Sequence, residues 1–207
     1  MKMLRLFGPV ILAVLAVFCV GSAQATVIDG TVYRVSEAVS QDAIPANIPA
    51  DCSAGCVTFQ VNSPLNFNAT GATISTWLAS GGAFNIVDNG GILGGLMDPV
   101  LVVFTGVVTV LNGQTFTVTH DDGLTLIIGG LTVVDHPGPT SPTTTIDTYT
   151  GPSGNFPFQL VYGECCGGPA VLQVDLPFSN TVPEPATLAI LGVGLVGLGY
   201  MRRRSAI

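Results

Sequence analysis

Positive charge is almost missing from the body of this sequence. Between Thr26 and Thr181 the only lysine or arginine is Arg34, set against twelve of the thirteen acids, a formal charge of −11. Without a basic patch there is nothing to displace counterions from a phosphate backbone, so nucleic-acid binding is excluded. An acidic surface keeps a protein soluble and also attracts cations. Catalytic signatures are missing as well. No HExxH, no phosphate-cradling glycine loop and no nucleophile elbow around a serine occurs, so an enzyme is not expected. There are two histidines, His120 and His136, and one tryptophan, Trp77. His120 reads as a hydrogen-bonded histidine at a turn and His136 as a solvated loop residue.

Long helical periodicity is also lacking. Short β-branched runs punctuated by Asn, Gly and Pro predict an all-β chain, an antiparallel sandwich. Residues 26–56, with Pro45 and Pro49, read as irregular. TISTWLAS around Trp77 reads as a short helix or a strand. In the 100–136 block, Asn112-Gly113, Asp122-Gly123 and Gly129-Gly130 read as turns of an antiparallel meander. Phe116, Val118 and His120 share one strand face, with Thr115, Thr117 and Thr119 on the other. TTTIDTYT, FPFQLVY and AVLQVDLPF complete the strands.

The apolar runs are confined to the two termini. Lys2 and Arg5, the Leu6–Val20 stretch and Ala23-Gln24-Ala25 form a secretory signal over residues 1–25. An exported chain places Cys52, Cys56, Cys165 and Cys166 in an oxidising compartment, where four cysteines read as two disulfides. Three pairings are open, and a four-thiolate zinc site is the alternative.

At the other end, Val182-Pro183-Glu184-Pro185, an apolar run Ala186–Tyr200 and Arg202-Arg203-Arg204 occur in that order. Fifteen helical residues span about 23 Å at ~1.5 Å each, less than the ~30 Å hydrocarbon core. The arginines form a membrane stop that stays on the cytoplasmic side. The prolines keep the preceding segment extended. Residues 182–205 resemble the PEP-CTERM sorting signal. The resemblance implies an integral-membrane exosortase as partner, a transient inner-membrane anchor through a short C-terminal helix, and a Gram-negative host that makes exopolysaccharide and biofilm matrix. In that setting Glu184 is a recognition or cleavage-proximal residue of the substrate, not a catalyst.

The ectodomain, residues 26–180, carries FTGVVTV, GQTFTVTHDDGLTLIIGG and LVYGECCGGPAVLQV. From Phe104 to Leu176 these pieces resemble the PA-fourteen family, the β-sandwich named after the N-terminal region of anthrax protective antigen. Phe116, Asp121, Asp122, Gly123, Leu124, Leu126, Gly163, Glu164, Ala170 and Leu172 fall near the family's pattern. Cys165-Cys166-Gly167-Gly168-Pro169 departs from it by one added residue. The resemblance implies a carbohydrate-facing module in which Asp121 and Asp122 hold Ca²⁺, as in the sugar-binding flocculins of yeast. Ca²⁺ takes six to eight oxygens, and paired carboxylates supply part of that set. Read from the residues alone, Asp-Asp-Gly is first a structural turn, with Gly123 at positive φ and an aspartate capping backbone amides. Adjacent aspartates at a turn are expected to point apart. Adhesion to polysaccharide is therefore the expected role, with a ligand-free structural matrix protein as the alternative.

Overall fold

The computed structural model describes residues 26–176 and 178. The signal peptide and the 182–205 sorting segment lie outside the described residues. Among the described residues no helix is long and apolar enough to cross a membrane. Eleven strands occur in chain order: β1 (Val27–Arg34), β2 (Cys56–Asn62), β3 (Leu65–Ala69), β4 (Phe84–Asn89), β5 (Val100–Val110), β6 (Thr115–Asp121), β7 (Leu124–Ile128), β8 (Leu131–His136), β9 (Thr143–Thr148), β10 (Gly154–Glu164) and β11 (Ala170–Val174). Among the described residues two α-helices, α1 (Glu37–Ser40) and α2 (Ile74–Ser80), and one 3-10 turn at Pro45–Asn47 accompany them.

The strands form two antiparallel sheets. One has the order β4-β2-β1-β5-β10-β7-β8, the other β3-β11-β6-β9. The faces they turn toward each other make one apolar core, with Val102, Phe104, Leu126 and Leu160 from the large sheet against Phe67, Val118 and Leu172 from the small one. Phe116, Val118 and His120 are buried while Thr115 is exposed and Thr117 and Thr119 are half-buried, as the alternation predicts.

The turns behave differently from the expected meander. Only Gly129-Gly130 closes a hairpin, β7 to β8. Asn112-Gly113 carries the chain from β5 in the large sheet to β6 in the small one, and Asp122-Gly123 carries it back to β7. A turn sequence dictates reversal, not the partner. Here β5 pairs with β1 and β10, and β6 with β11 and β9. Asn112 instead anchors a distant loop, its side-chain amide donating to the carbonyls of Thr150 and Gly151.

Residues 26–56 are not irregular throughout. β1 lies between β2 and β5 inside the large sheet. Its apolar alternation is broken by Gly30, which has a packing cause: a Cβ there would stand 2.2 Å from the Phe59 ring. TISTWLAS resolves as α2, and its local chemistry explains why. Thr73 accepts from the Thr76 amide at 3.3 Å while Thr76 Oγ1 accepts from the Thr73 amide at 2.9 Å, a reciprocal capping box. Ile74, Trp77 and Leu78 then fall on one buried face. The Trp77 ring stacks on Phe67 at 4.1 Å and lies parallel to Tyr162 at 5.9 Å. This aromatic column links the core to the polar site at the ends of β6 and β10.

Candidate functional site

Asp121 closes β6 and Asp122 follows it through a cis peptide bond. Both are 4% exposed. Asp122 is a hub for the surrounding loops. Its Oδ1 accepts from the Thr140 amide at 3.1 Å, and its Oδ2 from the Cys165 amide at 2.9 Å. Its backbone carbonyl meets His120 Nδ1 at 2.5 Å. One carboxylate thereby fixes the β8–β9 loop and the β10–β11 loop together.

Gly123 does not serve the turn through positive φ. Close approach decides it: a Cβ at Gly123 would sit 2.0 Å from the Pro137 carbonyl oxygen. Nor do the two aspartates point apart. Their carboxyl groups hydrogen-bond to each other. Two carboxylates in contact cannot both stay ionised without a proton or a cation between them.

Glu164, at the end of β10, joins the pair and is 1% exposed. Burial pushes its carboxyl up to about 9, the Tyr162 hydroxyl opposes this, and the charges of Asp122, Asp121 and Asp98 reinforce it. Asp121 is raised to about 6 by burial, then by the charge of Asp122 and the hydrogen bond it donates to that carboxylate. Asp122 is raised by burial, held back by the Cys165 and Thr140 amides. The Tyr162 hydroxyl lies against the Asp121 carbonyl and against Glu164 Oε2. Asp98 stands at the rim, its Oδ2 accepting from the Gly167 amide at 3.2 Å. Among the described residues no base hydrogen-bonds to this cluster: Arg34 feels the charge of Asp98 at the rim but spends its guanidinium on the carbonyls of Leu96 and Pro99.

Buried acids, raised affinities for protons and a carboxyl pair in contact suit a hard, oxygen-seeking cation. Asp121 and Asp122 are the residues that could hold it, with Glu164 behind them. The cysteines offer nothing to a metal here. Asp122, Cys165 and Cys166 bring donor atoms within 4.8 Å of one another, but Cys165 and Cys166 are disulfide-bonded to each other, as are Cys52 and Cys56. The pairing is the local one of the three open in the sequence, and the four-thiolate zinc alternative falls with it.

Sequence reasoning reached Asp121 and Asp122 but not Glu164, Tyr162 or Asp98 as members of one site. The available signal was the Tyr-x-Glu spacing, which puts Tyr162 and Glu164 on one face of β10. Val182, Pro183, Glu184, Pro185 and Arg202, Arg203 and Arg204 lie outside the described residues.

Residues 181–204 match the PEP-CTERM protein-sorting motif. Among solved structures, the chain is similar to a PA14 sugar-binding domain from an RTX adhesin, at 20% identity over 74% of this chain and 90% of that one, with a TM-score of 0.50. It is also similar to the PA14 domain of the antifreeze protein MpAFP, at 18% identity over 79% of this chain and 89% of that one, with a TM-score of 0.52. No curated protein sequence matches the chain. The chain thus carries a PEP-CTERM sorting motif, the mark of a protein exported and processed at the cell envelope, behind a β-sandwich of the PA14 fold.

Proposed function

We propose that this is a cell-surface or matrix protein whose sandwich contacts exopolysaccharide or another glycan through Ca²⁺ held by Asp121 and Asp122. The observation that carries the reading is the contact between two buried carboxyls beside a third, Glu164, with no base among the described residues hydrogen-bonded to them. A bound Ca²⁺ would supply the charge that lets the pair ionise, and open coordination positions for sugar hydroxyls. The protein's own part is to aim the pair: the Thr140 and Cys165 amides orient Asp122, and Tyr162 holds the Asp121 backbone. The sugar-binding PA14 domain of the RTX adhesin supports the glycan reading by likeness of fold.

The reading is binding rather than catalysis, because Asp121 and Asp122 touch each other, whereas the paired carboxyls of a glycosidase stand about 5 Å or more apart across the scissile bond. A second reading, a structural matrix protein without a ligand, is favoured by the two amides that already occupy Asp122. In either reading an exosortase processes the tail, and the membrane anchor is transient. Glycan-array binding with and without a chelator separates the two. Chelator-sensitive binding supports the first reading; binding to no glycan in either condition leaves the structural one.

A further inference from the structure

The two sheets do not close over each other at the β8 and β9 edges. Between those strands lies a cleft of about 390 Å³, lined by His120, His136, Gly138, Thr140, Thr143 and Thr145. His120 is 1% exposed, yet its Nε2 is buried with no hydrogen-bond partner. The other ring nitrogen explains the state of this one. Nδ1 faces the Asp122 carbonyl, which has only lone pairs, so Nδ1 carries the proton and donates it. Nε2 is therefore bare, a lone pair without a partner. A ring N–H fixed on a backbone carbonyl, with the opposite nitrogen free, is the arrangement that metal-binding histidines adopt.

A second imidazole stands ready. The exposed His136 ring lies with its centroid 6.0 Å from that of His120 and its plane inclined by 27°. Two imidazoles sharing one ion at Zn–N distances of about 2.0–2.1 Å hold their centroids roughly 5–6.5 Å apart. Nearby, Asp147 Oδ2 is buried without a hydrogen-bond partner, and the Asp147 charge acts on His120. A neutral polyol in the cleft would satisfy Nε2 but leave that charge unopposed; a cation answers both.

We propose that the β8–β9 cleft is a site for one imidazole-seeking divalent ion of the Zn²⁺, Ni²⁺ or Cu²⁺ class, ligated by His120 Nε2 and His136. Among the described residues no third His, Cys, Asp or Glu donor atom joins the pair at bonding distance, so water completes the coordination. The site is independent of the Ca²⁺ reading, since Asp122 contributes only its backbone carbonyl.

Zn²⁺ titrated into the full chain tests this, with imidazole ¹⁵N resonances and calorimetry as readouts. His120 Nε2 and one His136 nitrogen are expected to shift together at one equivalent, while the His120 Nδ1–H signal persists. Excess Ca²⁺ should not compete. His136→Ala, at an exposed ring where folding is not at stake, should weaken Zn²⁺ binding at least about tenfold. An unshifted His120 Nε2 would overturn the proposal. So would unchanged affinity in the His136 variant, or displacement of Zn²⁺ by Ca²⁺, each of which would place the ion on the acidic cluster.

Discussion

The Tyr162 hydroxyl lies 2.5 Å from Glu164 Oε2 and simultaneously against the Asp121 carbonyl. One hydroxyl proton cannot serve both. The carbonyl can only accept, so an ionised Glu164 competes with it for the Tyr162 proton, whereas a protonated Glu164 donates to the Tyr162 oxygen and leaves the hydroxyl to Asp121. The neutral form accords with a carboxyl raised to about 9.

The pH dependence follows. Glu164 and Asp121 are raised to about 9 and about 6, above their unfolded values near 4, so the folded state binds more protons in between. Stability contributed by these groups is present below about pH 4 and is lost as pH rises toward 9. In chelator, the midpoint of urea unfolding should fall from pH 5 to pH 9. Glu164→Gln, whose amide can donate to Tyr162 as the acid does, should flatten the upper part of that fall and gain on the order of 1–3 kcal/mol at pH 8. An unchanged slope in this variant would contradict a neutral Glu164.

Ca²⁺ should reverse the trend. Millimolar Ca²⁺ is expected to raise the melting temperature of the wild type at pH 7.5 and to leave Asp121→Asn/Asp122→Asn unmoved. A wild type indifferent to Ca²⁺ by thermal shift removes the calcium part of the reading.

Asp122→Ala should destabilise by about 3 kcal/mol even without Ca²⁺. It leaves the Thr140 and Cys165 amides without their acceptor. Denaturant unfolding measures the loss, and hydrogen exchange should show both amides losing protection together.

Gly123→Ala should cost about 3 kcal/mol or prevent folding, because its Cβ would meet a backbone oxygen, which cannot rotate away. Gly138→Ala, with nothing within 4 Å and no positive φ, should stay within about 0.5 kcal/mol. Equal behaviour of the two would contradict the packing at Pro137.

Mature chains from the native host should lack Arg202, Arg203 and Arg204. Intact arginines on most surface molecules, found by mass spectrometry, would indicate a permanent anchor instead of a processed tag.

The sequence made the strands legible where alternation was undisturbed: β6, with Phe116, Val118 and His120 inward, is the clearest case. It hid β1, because Gly30 interrupts the pattern to admit Phe59. It hid β4 as well, an edge strand among glycines that is exposed everywhere but at Phe84. The sheet switches at Asn112-Gly113 and Asp122-Gly123 were illegible because local turn chemistry does not choose among distant partners. The same holds for the site. Asp121 and Asp122 are adjacent and stand out, whereas Glu164 and Tyr162 lie about forty residues away and meet them only after β10 has docked between β5 and β7.

The small sheet contains β3, β6, β9 and β11, no two of them consecutive in the chain. No contiguous fragment can build it. Its pairing of Leu65 with Val174 and Ala69 with Ala170 waits for the last strand. Such non-local closure is slow. During export, a chain threaded from its N-terminus must deliver nearly the whole ectodomain before this sheet can assemble. The last strand ends at Val174, only a few residues ahead of the motif at 181–204. Completion of folding and presentation of the sorting motif are thereby placed next to each other in time.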